Sequence, residues 1–383
     1  MPDLDTVPGR GASETPAARA SRGEIVLVIV ALLAVGMLAT GSLASVPVTV
    51  DGVAGRVPVG AVAGDLVSAG DVASPPGDLL SVSGKVLRAG GGRPPGLIVN
   101  GAAATSETPL SAGTVVTSAR GGDTIEETRT VSIETTPALR FVGSGPVQSV
   151  EDSGTPGQVL VVLGTVSGEE VTRTVLSKAE PMIVRSEPAW RGAKRVALTF
   201  DDGPWPTTTD EILGQLKAAG VKATFFLLGR QVAARPEMAR RIVDAGMEIG
   251  NHSYSHKYLS GDPKSVVDSE IAKADAAIFK ATGVRPVWYR PAGGITSPTV
   301  YGEAARLGHK VVLWSVDPQD WARPGTRRIA RRVLDHVRPG AVILLHDGGG
   351  NRTETVAALK KILHGLAARG YEAVTLSELY AKP

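Results

Sequence analysis

From Arg195 to the end of the chain, short aliphatic runs alternate with longer stretches whose apolar residues recur every three or four positions. The runs Val196–Phe200, Ala223–Leu228, Glu248–Asn251, Val287–Arg290, Val311–Val316, Ala341–His346 and Glu372–Leu376 predict buried strands. The stretches Thr207–Ala219, Pro236–Ala245, Lys264–Thr282, Pro298–Leu307, Thr326–Val337 and Thr353–Arg369 predict helices, several of them followed by glycine. Repeated β-α alternation implies an α/β domain with a parallel sheet. About seven repeats suit a closed or nearly closed barrel, with a doubly wound open sheet as the alternative.

Residues 47–184 read differently. Short Val/Ile/Leu-rich stretches are punctuated by Asp-Gly, Asn-Gly and Ser-Gly, which predicts small all-β units with tight turns. Val48-Thr49-Val50-Asp51-Gly52-Val53-Ala54 is echoed by Leu97-Ile98-Val99-Asn100-Gly101-Ala102-Ala103, as two related hairpins would be. Upstream, no charge occurs from Ile25 to Val50, and Arg19 and Arg22 precede the apolar run. Residues 25–46 therefore predict a transmembrane anchor with residues 1–24 as a disordered cytoplasmic tail and the rest of the chain outside. Ser42-Leu43-Ala44 offers the alternative of a secreted product cleaved near Ala44.

Composition sharpens the division. Before Trp190 the only aromatic residue is Phe141, whereas all five tryptophans lie between Trp190 and Trp321. Residues 185–383 carry a net charge of +9 and residues 1–184 one of −6, placing a boundary near Ser186–Arg191. The whole chain is only +3, without the basic footprint a nucleic-acid partner requires. There is no cysteine, so a metal must be held by carboxylates and by some of the six histidines.

The unusual polar residues cluster at strand ends. Asp201 and Asp202 follow the first strand, His252 and His256 the third, Arg290 the fourth, Asp317, Asp320 and Trp321 the fifth, and His346 with Asp347 the sixth. In a parallel barrel these ends converge on one face. A His-x-x-x-His pair with an aspartate from a neighbouring strand end makes three facial ligands for a divalent cation. Of the two adjacent aspartates, one can bind the metal while the other accepts a proton from the attacking water; the spacing leaves open which does which. His346, ending an apolar run, is placed to protonate a leaving group. Trp205 suits either sugar stacking or rim packing. Gly348-Gly349-Gly350 lacks the Lys-Ser/Thr of a phosphate loop and reads as a flexible turn.

These residues carry a resemblance. Thr199-Phe200-Asp201-Asp202-Gly203-Pro204, His252-Ser253-Tyr254-Ser255-His256, Arg290-Pro291, Asp317-Pro318-Gln319-Asp320-Trp321 and Leu344-Leu345-His346 resemble the five ordered motifs of the polysaccharide deacetylases, the NodB-homology or carbohydrate esterase family 4 domain. The resemblance spans about residues 190–380. It implies a distorted (β/α)7 barrel that removes N-acetyl groups from polysaccharide with one divalent metal, usually zinc or cobalt. Carried onto this sequence, Asp201 is the base, Asp202, His252 and His256 hold the metal, Arg290 orients Asp201, His346 is the general acid, and Asp320 sets its tautomer. Trp321 and Leu344 line the acetyl pocket, and the backbone N–H of Gly293 stabilises the oxyanion. The third motif departs from the family's Arg-Pro-Pro-Tyr-Gly, reading Arg290-Pro291-Ala292-Gly293-Gly294, which removes an aromatic wall from the cleft and predicts altered substrate shape.

Residues 150–184 also resemble the G5 domain of bacterial surface proteins, which implies a wall-binding or spacing module; a plain β stalk is the alternative. The expected partners are thus cell-wall polysaccharide and, through the anchor, the membrane. Peptidoglycan N-acetylglucosamine leads as substrate, followed by chitooligosaccharides and acetylated xylan. The rival from another class is a non-catalytic wall-binding scaffold.

Overall fold

The computed structural model describes residues 44–189 and 194–381. They divide into two compact units, one drawn from residues up to 131 together with 161–173, the other from 132–160 and from 174 onward.

In the first unit β1 (Ser45–Val50) and β2 (Val53–Pro58) form a hairpin. β3 (Leu79–Leu80) and β4 (Val86–Arg88) pair with each other. β5 (Gly96–Val99) and β6 (Ala102–Ala104) make a second hairpin, and β7 (Thr114–Ala119) lies between the two in a sheet of order β2-β1-β7-β5-β6. β8 (Thr124–Ile125) runs beside β3. Asp51 and Gly52, like Asn100 and Gly101, have positive φ, the conformation of two-residue hairpin turns that Asp-Gly and Asn-Gly favour. The sequence echo therefore marks two equivalent hairpins in one sheet.

β9 is Thr128–Thr135, β10 Leu139–Gly143, β11 Val147–Asp152, β12 Gly157–Gly164, β13 Glu170–Ser177 and β14 Met182–Glu187. The strands of the α/β region follow: β15 (Arg195–Gly203), β16 (Thr224–Leu227), β17 (Glu248–Asn251), β18 (Trp288–Tyr289), β19 (Lys310–Val312), β20 (Val342–His346) and β21 (Glu372–Val374). β15 to β20 form a parallel sheet within a larger one of order β10-β14-β11-β19-β18-β17-β16-β15-β20, with β21 beside the start of β15.

Two expectations change. The strands β10, β11 and β14, which the sequence reading put in the β stalk, belong to the same sheet as the α/β strands. Their aliphatic side chains explain this: Val147 packs with Trp288 and Val312, and Met182 and Val184 pack with Tyr289, Tyr301 and Val311. Of the expected closed or nearly closed barrel, a continuous closed ladder is not formed. A strand has two edges, and β19 offers one to β18 and the other to antiparallel β11, where Val147 faces Val312. The segment after β19 meets β20 through the bridge of Val316 to Ile343, with Ser315 N–H and Val316 N–H donating to Val342 O and Leu344 N–H to Val316 O.

Alternation along β15 sets up the site. Val196, Leu198 and Phe200 pack among apolar residues such as Ile212 and Leu216 of the Thr208–Ala219 helix, so Ala197, Thr199 and Asp201 face the other way. Among the described residues no helix is long and apolar enough to cross a membrane. The expected anchor over 25–46 lies outside the described residues except at its end, where Ser45 and Val46 already belong to β1.

Candidate active site

Parallel pairing puts Asp201 beside Phe226 on one side and His346 on the other. Asp201 is buried, and its Oδ1 accepts a hydrogen bond of 2.7 Å from Arg290 Nη1. Arg290 is itself fully buried. It also donates to Thr199 Oγ1, Val312 O and Leu313 O, and its guanidinium lies 4.1 Å from the centre of the Phe226 ring. Burial pulls the Arg290 guanidinium below its ordinary value, opposed by the charge and hydrogen bond of Asp201. Such a pair, fully hydrogen-bonded inside the protein, fixes one carboxylate oxygen and leaves the other free.

Asp202, His252 and His256 come together as a possible metal site, with one ligand atom from each lying within 4.8 Å of the others. Asp202 Oδ1 is buried without a hydrogen-bond partner among the described residues, 3.6 Å from His252 Nε2 and 3.3 Å from His256 Nε2. A buried carboxylate oxygen between two imidazole nitrogens fits a cation. The remaining ring nitrogen of His252, Nδ1, lies 2.7 Å from Arg290 O; donation there leaves the Nε2 lone pair for a metal. Burial, reinforced by neighbouring His252, lowers the pKa of His256 and favours the neutral ring a metal requires.

The loops that carry these ligands are strained and held. Asp202, Ser253 and His256 have φ of 78°, 66° and 66°, values that non-glycine residues seldom adopt. Around His256, Ser253 N–H donates to Asn251 Oδ1, His256 N–H to Ser253 Oγ, and Ser255 donates twice to Glu270 of the Lys264–Thr282 helix. Strain of this kind persists only where the surroundings over-determine it.

Opposite the ligands, Asp320 Oδ1 lies 2.8 Å from His346 Nδ1, while its Oδ2 accepts from His346 N–H and Thr355 Oγ1. Burial works against a charged His346, but the hydrogen bond and charge of Asp320, with the charges of Asp201 and Asp202, carry its pKa above the ordinary histidine range. Asp320, despite its own burial, is held below the carboxylate range by the same partners. A cavity of about 580 Å³ is lined by Asp201, Asp202, His252, His256 and His346, and also by Gly293, Trp321 and Leu344. Arg290 and Asp320 stand behind it, fully buried. A larger groove of about 1110 Å³ between the helices Thr208–Ala219 and Thr353–Ala368 contains none of these residues.

A family model described as polysaccharide deacetylase matches residues 190–312. Over 188 residues the chain is 40% identical to the peptidoglycan-N-acetylglucosamine deacetylase of Bacillus cereus, covering 49% of this chain and 88% of that protein. The chain belongs to the polysaccharide deacetylase family. This deacetylase is also 41% identical over 201 residues to the chitooligosaccharide deacetylase of a Bradyrhizobium species, covering 49% of this chain and 92% of that protein. Among solved structures it is similar to a family 4 acetyl xylan esterase of Clostridium thermocellum in complex with a cobalt ion, at 37% identity and a TM-score of 0.46, covering 49% of this chain and 90% of that one. The protein is a polysaccharide deacetylase with an α/β fold, and Asp202, His252 and His256 are the residues of its site that could hold a metal ion.

Asp347 and Thr355 brace the deacetylase's cleft and Tyr258 lines it, roles that the order of motifs does not assign. Asp347 is fully buried. Its Oδ2 accepts from Thr209 Oγ1 at 2.6 Å, and that hydroxyl accepts from Trp205 N–H. Burial pushes its pKa up to about 7, opposed by Thr209 and reinforced by Asp202 and Asp201. A β-carbon on Gly203 would run into the Asp347 carboxylate, which is why the residue after the aspartate pair is glycine. Thr355 supports Asp320 from the Thr353–Ala368 helix, and Tyr258 joins the cavity wall. Asp347 follows His346 directly, the only one of the three with a local signal; Thr355 and Tyr258 reach the site through folding alone.

Proposed function

We propose that this centre removes the N-acetyl group from N-acetylglucosamine residues of peptidoglycan, with zinc as the resident metal and cobalt able to replace it. The observation that carries the reading is the unpartnered, buried Asp202 Oδ1 between the Nε2 atoms of His252 and His256, in one cavity with Asp201 and His346. The Bacillus cereus relative's name supports the substrate, and the cobalt-bound esterase supports the kind of metal.

Asp202, His252 and His256 would hold the cation. When bound, it polarises the acetyl carbonyl and raises the acidity of the attacking water. Asp201, oriented by Arg290, takes the proton from that water through its free Oδ2. The water oxygen bonds to the acetyl carbon, and the Gly293 N–H is assigned to the developing oxyanion. The C–N bond then breaks, His346 gives its proton to the departing amine, and acetate and a glucosamine residue remain. Asp320 holds the His346 ring with Nε2 available for that transfer. Trp321 and Leu344 border the acetyl group.

We place the site outside a membrane, tethered by residues 25–46 or released after cleavage near Ala44; the charge-free run behind Arg19 and Arg22 supports this. Of the G5-like stretch 150–184, β12 and β13 lie in a sheet apart from the α/β strands, and we assign these two to wall binding or spacing. Acetate release from purified peptidoglycan, chitopentaose and acetylated xylan by the full chain, with and without chelator, tests the whole reading. It expects chelator-sensitive release, fastest from peptidoglycan. Release from none of the three would overturn it.

A further inference from the structure

Tyr258 is 60% exposed although it lines the cavity beside a metal-ligand loop. Its ring centre lies 6.2 Å from that of His256, and its hydroxyl has no hydrogen-bond partner among the described residues. The position of the ring is defined by what it rests on. A β-carbon built on Gly293 would come within 2.9 Å of Tyr258 Cε1, closer than real side chains approach. Gly293 also has φ of 61°, which glycine adopts without cost. The next residue repeats the arrangement, since a β-carbon on Gly294 would come within 2.8 Å of Trp314 Cη2.

The two glycines are thus seats for two aromatic rings from other loops. A side chain at position 293 would require the ring of Tyr258 to shift from the place it holds, and in this chain the aromatic wall expected to be missing at this motif is supplied from the loop after His256. An exposed ring with a free hydroxyl gains little from the protein around it. It gains much from the flat C–H face of a pyranose, whose apolar surface it covers while the hydroxyl stays wet.

We propose that Tyr258 is the stacking platform for the sugar adjoining the reacting N-acetylglucosamine, and that Gly293 is the seat that lets it take that place. The proposal rests on the deacetylase reading and narrows it to substrates of at least two linked pyranoses. Tyr258 sets chain-length preference, while the acid, base and metal-binding groups are the same for short and long substrates.

The test is a double-mutant cycle with chitopentaose as the probe, read as acetate release by the full chain with zinc. Tyr258→Ala is expected to raise KM for chitopentaose about tenfold, with a smaller change in kcat, while Tyr258→Phe stays within about threefold of the wild type. Gly293→Ala alone is expected to lower kcat/KM for chitopentaose by about tenfold or more, because it displaces the ring and strains the backbone. In the Tyr258→Ala background the same change should add clearly less. An unchanged KM in Tyr258→Ala, or losses that simply multiply, would overturn the platform alone. Absence of acetate release by the wild type from chitopentaose and peptidoglycan alike would overturn the deacetylase reading and the platform with it.

Discussion

Asp320 grips His346 at two points, meeting ring Nδ1 at 2.8 Å and accepting from the backbone N–H at 2.9 Å. The second contact makes the first rigid, because ring and backbone of one residue are tied to one buried carboxylate. A histidine whose pKa is raised is a proton donor below that pKa and ceases to be one above it. Asp320→Asn removes the main raising influence and leaves burial, which lowers the value. The alkaline limb of the pH–rate profile is therefore expected to move to lower pH, and kcat at neutral pH to fall by about 100-fold or more. An alkaline limb that does not move would show that another group supplies the proton.

Asp201 and Asp202 are neighbours with different surroundings, one clamped by Arg290 and one facing two imidazoles. Asp201→Asn should keep its metal and lose at least about 100-fold in kcat. Asp202→Asn and His252→Ala should lose bound metal, measured by elemental analysis of the purified protein, and acetate release with it. The reverse pattern would exchange the roles of the two aspartates.

Asp347 gives a pH effect on stability that is separate from turnover. In chelator-treated protein its folded pKa of about 7 stands above the ordinary 3.8, so between those values the folded chain keeps a proton that the unfolded chain releases. Stability is then expected to fall as pH rises through that window, by roughly a few kcal/mol in total. Asp347→Asn carries no such proton and should flatten the slope in denaturant melts at pH 4.5 and 7.5, conditions chosen at about the two ends of the window. A slope that persists in the variant would place the titrating group elsewhere.

A fragment beginning at Arg185, at the boundary that charge and aromatic content suggest, would lack β10, β11 and half of β14. It would uncover one edge of β19 and strip Tyr301 Oη of its acceptor, Gln148 Oε1. Loss of the fully buried Val147 and Val184 alone should cost at least about 3 kcal/mol. Chemical denaturation should show the 185–383 fragment to be much less stable than one beginning at residue 132. Equal midpoints would mean that these strands contribute little.

The β-α alternation after Arg195 was legible because strand and helix periodicities differ and each run is bounded by glycine, proline or a change of period. Of the six helices predicted, all are present within a residue of their expected ends. The short helix Gly229–Ala234 was not foreseen, having too few residues to show a period. The expected strand Val311–Val316 stops at Val312, because pairing with β11 and the carbonyls given to Arg290 end the ladder there. Those partners lie far away in sequence.

The chemistry was legible for a related reason. Carboxylates, imidazoles and a guanidinium at the tips of apolar strands are costly to bury, so their presence in five ordered places already points to mutual neutralisation in one cleft. Local order in the chain thus determined which residue types the site holds and that strand ends carry them. Only the folded chain decided that β11 takes the edge of β19, that Asp347 and Thr355 brace the site, and that the ring of Tyr258 sits where Gly293 has no side chain. Each of these depends on distances between segments far apart in the chain, and a periodicity along one segment contains no term for the shape of another.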